Sequence, residues 1–324
     1  LYAEDPAKGF LPSIGPLEHF VLPDDGEIRI DTGVEPGGEV SQFYDPMIAK
    51  LIVHADTREE AARRLAEACR EVQVWPVRTN AAFLARCLEH PDFVAGEVDT
   101  AFIPSRQDAL VPTGPSPAAV LAALGMAAEH AAATVGAPVD GDPYAPWQAT
   151  PEGLYGFRLN APPRTRHRVE IDGREVEGEA APELYADGTW RATSEAATAA
   201  VDVFPQTVYV DDREAGVIPT EDGFVLFDQG LALAVREVET AGHGAAGPGE
   251  ASGKVLSPMP GRIVAVQASE GATVAKGAPL VVLEAMKMEH TLTAPFDGVV
   301  KALSVKAGDQ VSEGVALVVV EAAT

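Results

Sequence analysis

Cysteine is nearly missing from this 324-residue sequence: there are two, Cys69 and Cys87, both in helix-like stretches and outside any CxxC pattern. Such usage argues against a disulfide framework and reads as buried free thiols in a reducing compartment. No apolar run approaches the ~18 residues of a membrane span, and no signal-peptide pattern is present. Bases are scarce, 24 against 49 acids, for a net charge of -25. That shortage excludes a basic nucleic-acid-binding face and a polybasic membrane patch. Seven of the bases are lysine and 17 arginine, which with the abundant alanine matches a high-GC genome. What is present is apolar enough, at 46%, to fold despite the charge. At ~150 residues per domain the length predicts two or three domains. The sequence opens at Leu1 within a strand-like stretch, which predicts a piece of a longer polypeptide.

The charge is uneven. Residues 1–110 carry -10, residues 111–253 carry -14, and residues 254–324 only -1. Periodicity divides the chain in the same places. Residues 1–108 read as an α+β unit: strands and Pro/Gly turns to about residue 55, with Ile28-Arg29-Ile30 alternating. A helix follows, opened by a Thr57/Glu60 capping box, then a second, opened at Thr79-Asn80 and stopped by Pro91. In residues 109–240 an Ala-rich helix from Ala118 to Val135, started by Ser116-Pro117 and ended at Gly136-Ala137-Pro138, precedes short alternating segments. Those segments are 164–171, 189–193, 199–204, 207–210, 224–227 and 231–238, with turn pairs Asp172-Gly173, Asp187-Gly188, Asp222-Gly223 and Gln229-Gly230 between them. That spacing predicts an antiparallel sandwich or barrel. Arg164, Arg166 and Arg168 share one strand face, by default a solvated one. Residues 241–253 are Gly/Ala-rich and read as a flexible linker; the 14 residues from Thr240 reach roughly 20 Å r.m.s..

Residues 254–324 contain a repeat. A shift of 37 positions, without gaps, superposes Pro258 on Pro295, Gly261 on Gly298, Gly271 on Gly308 and Gly277 on Gly314. It also superposes Leu280–Glu284 on Leu317–Glu321. Two equivalent β-halves in a small flattened barrel of quasi-two-fold symmetry are expected. Between them lies Glu284-Ala285-Met286-Lys287-Met288-Glu289-His290, which places Met286-Lys287 on the hairpin joining the halves. A lysine at such a tip is solvated and reachable, and methionines beside it gain nothing from burial.

Ala285-Met286-Lys287-Met288 matches the biotin attachment motif, and residues 255–321 resemble a biotin carboxyl carrier domain. The resemblance implies covalent biotin on Lys287, with Ala285, Met286 and Met288 as the motif read by biotin protein ligase. Lipoyl domains share the repeat fold but usually place Asp where Met286 stands. Upstream, Ala3-Glu4-Asp5-Pro6, Phe10–Ser13, Ile28–Asp31 and Tyr44–Ile52 resemble the C-terminal lobe of biotin carboxylase. Carried over by motif position, Arg29 would stabilise the biotin enolate during carboxylation and Glu4 would deprotonate bicarbonate. The middle segment resembles, more weakly, the docking domain of propionyl- and methylcrotonyl-CoA carboxylase α subunits.

The expectation is therefore a multidomain chain: an α+β lobe, a helix plus antiparallel β-barrel, and a small flattened all-β barrel of the biotinyl/lipoyl type. By resemblance it is part of the α subunit of an acyl-CoA carboxylase, a ligase, in the bacterial cytoplasm. Carboxybiotin would travel to a separate carboxyltransferase β subunit in a hetero-oligomer. The favoured substrate is 3-methylcrotonyl-CoA, from Glu289-His290-Thr291 and Ala294–Gly298, with propionyl- or acetyl-CoA next. ATP and magnesium sites would lie upstream of Leu1, so these residues alone should not hydrolyse ATP, and no metal ligands are assigned here. The alternatives are a lipoyl carrier of a dehydrogenase complex, which Met286 and the lobe oppose, and an unmodified efflux-type adaptor, which would need an anchor and a coiled-coil hairpin.

Overall fold

A computed structural model describes residues 1–24, 26–135, 165–182, 189–238, 254–285 and 288–322. Within them the three expected architectures are present. The amino-terminal unit is built on strands β1 (Gly15–Val21), β2 (Arg29–Thr32), β3 (Ala49–Ile52) and β4 (Gln73–Pro76). Helices α1 (Arg58–Glu71) and α2 (Ala81–Glu89) cover them. β1 pairs antiparallel with β4, and β2 with β3. Thr57 Oγ1 accepts the Glu60 amide at 3.2 Å, satisfying one free donor at the start of α1. α2 opens at Thr79-Asn80 as expected, with Asn80 in the cap position; its side chain makes no cap bond, and its Oδ1 accepts the Tyr2 amide at 2.9 Å. Cys69 and Cys87 are buried free thiols, pushed up to about 11 by burial.

The middle unit settles the choice between sandwich and barrel. Helix α3 (Pro117–Val135) begins where Ser116 predicts, with Ser116 Oγ accepting the Ala119 amide at 3.0 Å and donating to Asp228 at 2.6 Å. Eight strands follow: β5 (Thr165–Ile171), β6 (Arg174–Pro182), β7 (Thr189–Thr193), β8 (Thr198–Phe204), β9 (Thr207–Val210), β10 (Arg213–Thr220), β11 (Gly223–Asp228) and β12 (Leu231–Glu237). They form one closed antiparallel barrel in the order β7-β8-β9-β10-β11-β12-β5-β6. Closure removes the free edges that an open sheet would expose. Ala119, Ala122, Ala123, Leu124, Ala127 and Ala128 of α3 pack with Val169, Val201, Val208 and Leu233 of the strands. Small residues permit that approach. A Cβ on Gly125 would lie 2.6 Å from Val201 Cγ1, and one on Gly178 would collide with Leu124.

Two strands, β6 and β10, are not visible as alternating segments in the sequence. β6 carries Gly178 at the point where Leu124 presses on it, and four of its other eight residues are charged. β10 is entered through Asp211-Asp212, both at positive φ (46° and 65°). This is a hairpin turn in which aspartate tolerates the left-handed conformation that glycine usually supplies. Arg166 pairs with Glu177 (3.3 Å) and Glu179 (3.8 Å), and Arg168 with Glu177 (3.6 Å). That face is a solvated ladder of ion pairs, as the default reading holds. Arg164, the 136–138 helix stop, the Asp187-Gly188 turn and the 241–253 linker lie outside the described residues. No described helix is long and apolar enough to cross a membrane.

The repeat maps onto the carboxy-terminal unit element by element. Its strands are β13 (Lys254–Leu256), β14 (Gly261–Val266), β15 (Thr273–Val274) and β16 (Pro279–Ala285), then β17 (Met288–Thr293), β18 (Gly298–Leu303), β19 (Gln310–Val311) and β20 (Ala316–Ala322). One sheet runs β13-β20-β18-β15 and the other β17-β16-β14-β19. Each strand's repeat partner therefore holds the corresponding place in the opposite sheet. Irregularities repeat as well: the register shifts between Ile263 and Ala265, and again between Val300 and Ala302. Gly277 N donates to Ala294 O and Gly314 N to Ser257 O, both at 2.8 Å.

Gly261 and Gly298 have their own reason to be glycine. A Cβ on Gly261 would sit 2.7 Å from the Glu284 carbonyl oxygen, and one on Gly298 would strike the carbonyl of Glu321. Neighbouring backbone cannot rotate away as a side chain can. Gly261→Ala and Gly298→Ala are each expected to destabilise this unit by about 1–3 kcal/mol, whereas Gly33→Ala, whose nearest neighbour is 3.9 Å away, changes little. Thermal melting of the three variants checks this; equal midpoints would contradict the packing argument.

Candidate functional site

Two places carry site residues. The first is the junction of the repeat. β16 is anchored by Leu280, Val281 and Leu283, all fully buried, and Ala285 at its end is buried too. β16 and β17 pair antiparallel with Leu283 opposite His290, Glu284 opposite Glu289 and Ala285 opposite Met288. Two residues, Met286 and Lys287, therefore connect the paired strands; both lie outside the described residues. Glu284 Oε2 accepts from Arg262 at 2.7 Å, tying the outer face of the hairpin to β14. His290 Nε2 is buried with no hydrogen-bond partner among the described residues, and burial holds its imidazole below the ordinary histidine range. The imidazole next to this hairpin is therefore biased toward its neutral form.

The second place is β2. Arg29 and Asp31 are two apart on a strand and so share a face. The guanidinium grips the carboxylate with both forks: Nε to Oδ1 and Nη2 to Oδ2, each 2.9 Å. The hydrogen bond from Arg29 holds the Asp31 carboxyl below the usual range, and the same bond raises Arg29. Both side chains are exposed. This bidentate pair fixes the plane of the guanidinium and leaves three of its five N–H donors free to face an anionic oxygen. Asp31 is the member that motif matching overlooked, although strand alternation places it beside Arg29.

Glu4 behaves differently. It lies in the short strand Glu4–Asp5, and its carboxyl is raised by burial and then by the Asp45 carboxylate. Among the described residues no hydrogen bond or ion pair joins it directly to Arg29. Tyr44-Asp45-Pro46-Met47 lies on the loop before β3, with Phe43 and Tyr44 exposed.

Residues 1–105 match the biotin carboxylase C-terminal domain, and residues 253–320 match the family described as biotin-requiring enzyme, the biotin/lipoyl type. The chain is 32% identical over 321 residues to the mitochondrial methylcrotonoyl-CoA carboxylase subunit alpha of Dictyostelium discoideum, covering 91% of this chain and 44% of that protein. It is 32% identical over 330 residues to the propionyl-CoA carboxylase alpha chain of Ruegeria pomeroyi, covering 91% and 46%. Among solved structures, the biotin carboxylase domain of Hydrogenobacter thermophilus 2-oxoglutarate carboxylase, in complex with MgADP and bicarbonate, is 32% identical over 35% of this chain and 25% of that one, with a TM-score of 0.34. The chain thus spans less than half the length of these curated relatives. It carries a biotin carboxylase C-terminal domain and a biotin/lipoyl domain of the kind that bears covalent biotin, and across 91% of its length it is homologous to the alpha subunits of methylcrotonoyl-CoA and propionyl-CoA carboxylases.

Proposed function

We propose that this chain is the carboxy-terminal part of the biotin-bearing α subunit of an acyl-CoA carboxylase. Lys287 is the residue acylated by biotin, and Arg29 is a catalytic residue of biotin carboxylation. The observation that carries this reading is the pairing of Ala285 with Met288. It leaves Met286-Lys287 alone between the two halves of a biotin/lipoyl domain, on the same chain as a biotin carboxylase lobe. A lysine amine there is presented to biotin protein ligase without unfolding either half.

Biotin supplies a ureido nitrogen that takes up and releases a carboxyl group. A ureido nitrogen is a poor nucleophile, and negative charge moves onto the ureido oxygen as it reacts. Arg29, with its plane set by Asp31, offers free N–H donors to that oxygen, and charge-assisted donors fixed in advance stabilise developing charge at little reorganisation cost. Glu4, expected as the base toward bicarbonate, has an acid beside it, which opposes an incoming anion; the reading rests on Arg29. The partner is a carboxyltransferase β subunit, in keeping with the alpha-subunit relatives. The acyl-CoA is 3-methylcrotonyl-CoA in the first reading, since the first several relatives are methylcrotonoyl-CoA carboxylase subunits. Propionyl-CoA is the second.

Two outcomes are expected. On streptavidin blots of protein made with biotin protein ligase, wild type gives a signal and Lys287→Arg gives none. A persisting signal in the variant would place biotin elsewhere. In the full-length subunit, Arg29→Ala lowers bicarbonate-dependent ATP turnover with free biotin by about 10²–10³, with biotinylation of Lys287 unchanged. Unaltered turnover would remove Arg29 from the site.

A further inference from the structure

The barrel is seated on the lobe at one end. The β11–β12 turn at Gln229-Gly230 enters the notch between the end of α1 and the first turn of α2. Gly230 has φ +80°, and a Cβ on it would come within 2.8 Å of the Cys69 carbonyl oxygen and 2.9 Å of the Ala82 nitrogen. Beside the notch, the His19 ring of β1 stacks on Phe227 of β11, with centroids 4.9 Å apart and planes 24° apart. His19 Nε2 meets Gln73 Oε1 at 3.0 Å. The Gln73 side chain in turn fills the space over Gly216, where a Cβ would lie 2.7 Å from its amide nitrogen. Arg78 closes the seam: it forks onto Asp172 of the β5–β6 turn at 3.0 and 2.9 Å and donates to the Ala232 carbonyl of β12. Both members of that pair are partly buried, which sets it apart from exposed pairs of little worth.

We infer that this seam is a docking interface whose partner is the chain's own barrel, and that it fixes the root of the carrier linker relative to Arg29. Five parts of the barrel, the β11–β12 and β5–β6 turns and strands β10, β11 and β12, converge on one face of the lobe. Two of them, Gly216 and Gly230, lack a side chain where the lobe occupies the space, a complementarity that a barrel hanging loose from the lobe would not need. β12 is held near its start, at Ala232, and ends at Glu237 just before the linker. With the barrel docked, the tether to the carrier is the linker alone, roughly 20 Å r.m.s.. With the barrel loose, the segment between the lobe and α3 joins the tether. The effective concentration of a tethered group falls with about the -3/2 power of tether length, so adding the roughly eight residues between lobe and α3 to the 14-residue linker lowers it about twofold. Arg78 is thus a positioning residue for carboxylation in cis. This consequence rests on the function proposed above.

Gly230→Asn tests the seam. Asparagine tolerates positive φ, so the turn itself is kept and the added bulk meets the lobe backbone. Gly173→Asn is the control, at a turn of similar φ (+78°) with open space around it. By hydrogen exchange, Gly230→Asn and Arg78→Ala are expected to raise exchange on both sides of the seam, at 73–82 and at 231–234, while Gly173→Asn does not. Wild-type exchange in Arg78→Ala, or a rise confined to the barrel, overturns the docking. If Gly230→Asn also loses protection at Trp190–Ala192, the barrel has unfolded and Arg78→Ala alone decides by the same criterion. In the full-length subunit, Arg78→Ala is expected to lower carboxylation of the tethered biotin about twofold and to leave turnover of free biotin unchanged. An equal effect on both substrates overturns the positioning role. Streptavidin blotting of the same samples reports separately whether Lys287 carries biotin, so failure of the functional reading is not mistaken for failure of the seam.

Discussion

The carboxy-terminal domain depends on one close approach made twice. At Gly261 and again at Gly298, a strand passes so near the carbonyl of its neighbour that no Cβ fits. This contact pins the register of β14 against β16 and of β18 against β20. Because the two halves are equivalent, every strand has a repeat partner in the other sheet, and one connection, between Ala285 and Met288, joins the halves. A one-residue slip would turn buried Val281 and Leu283, which share a face of β16, to the surface. The register is therefore held by the core, which pairs Ala285 with Met288 on either side of Met286-Lys287 in the sequence.

The middle unit applies the same economy of side chains to a different end. A barrel of eight strands with a helix packed on its inner faces has room for alanine along much of that helix. The alanine-rich stretch that looks featureless in sequence is thus the complement of the valines on the strands. Glycine at 125 and 178 marks the tightest helix–strand approaches, and at 216 and 230 the approaches of barrel to lobe. Each is a contact between elements far apart in the chain.

Much of this was legible from local pattern. The 37-residue period foretold the sheet arrangement of the last domain, the Thr57 and Ser116 caps foretold the starts of α1 and α3, and the Asp172-Gly173 and Gln229-Gly230 pairs foretold hairpin turns. What escaped had non-local causes. β6 was hidden because Gly178 answers to Leu124 of α3. β10 was hidden because Asp211-Asp212 does the work usually done by glycine. Asn80 looks like a helix cap, but Tyr2 claims its side chain. At the site, Arg29 and the Lys287 motif stood out by resemblance, whereas the Asp31 clamp appears only once the side-chain contact across the strand face is seen.

In the proposed account the chain divides its labour by mobility. A lobe bearing Arg29 and a barrel seated on it make a platform, and a near-neutral carrier brings Lys287 to distant sites. All of it presupposes biotin on Lys287. Peptide-level mass spectrometry of the protein purified from cells that supply biotin protein ligase tests that claim most directly. The account predicts a biotinyl increment on the peptide containing Lys287, localised by fragmentation to that lysine. A lipoyl increment there, or biotin on any of the other lysines, would contradict it.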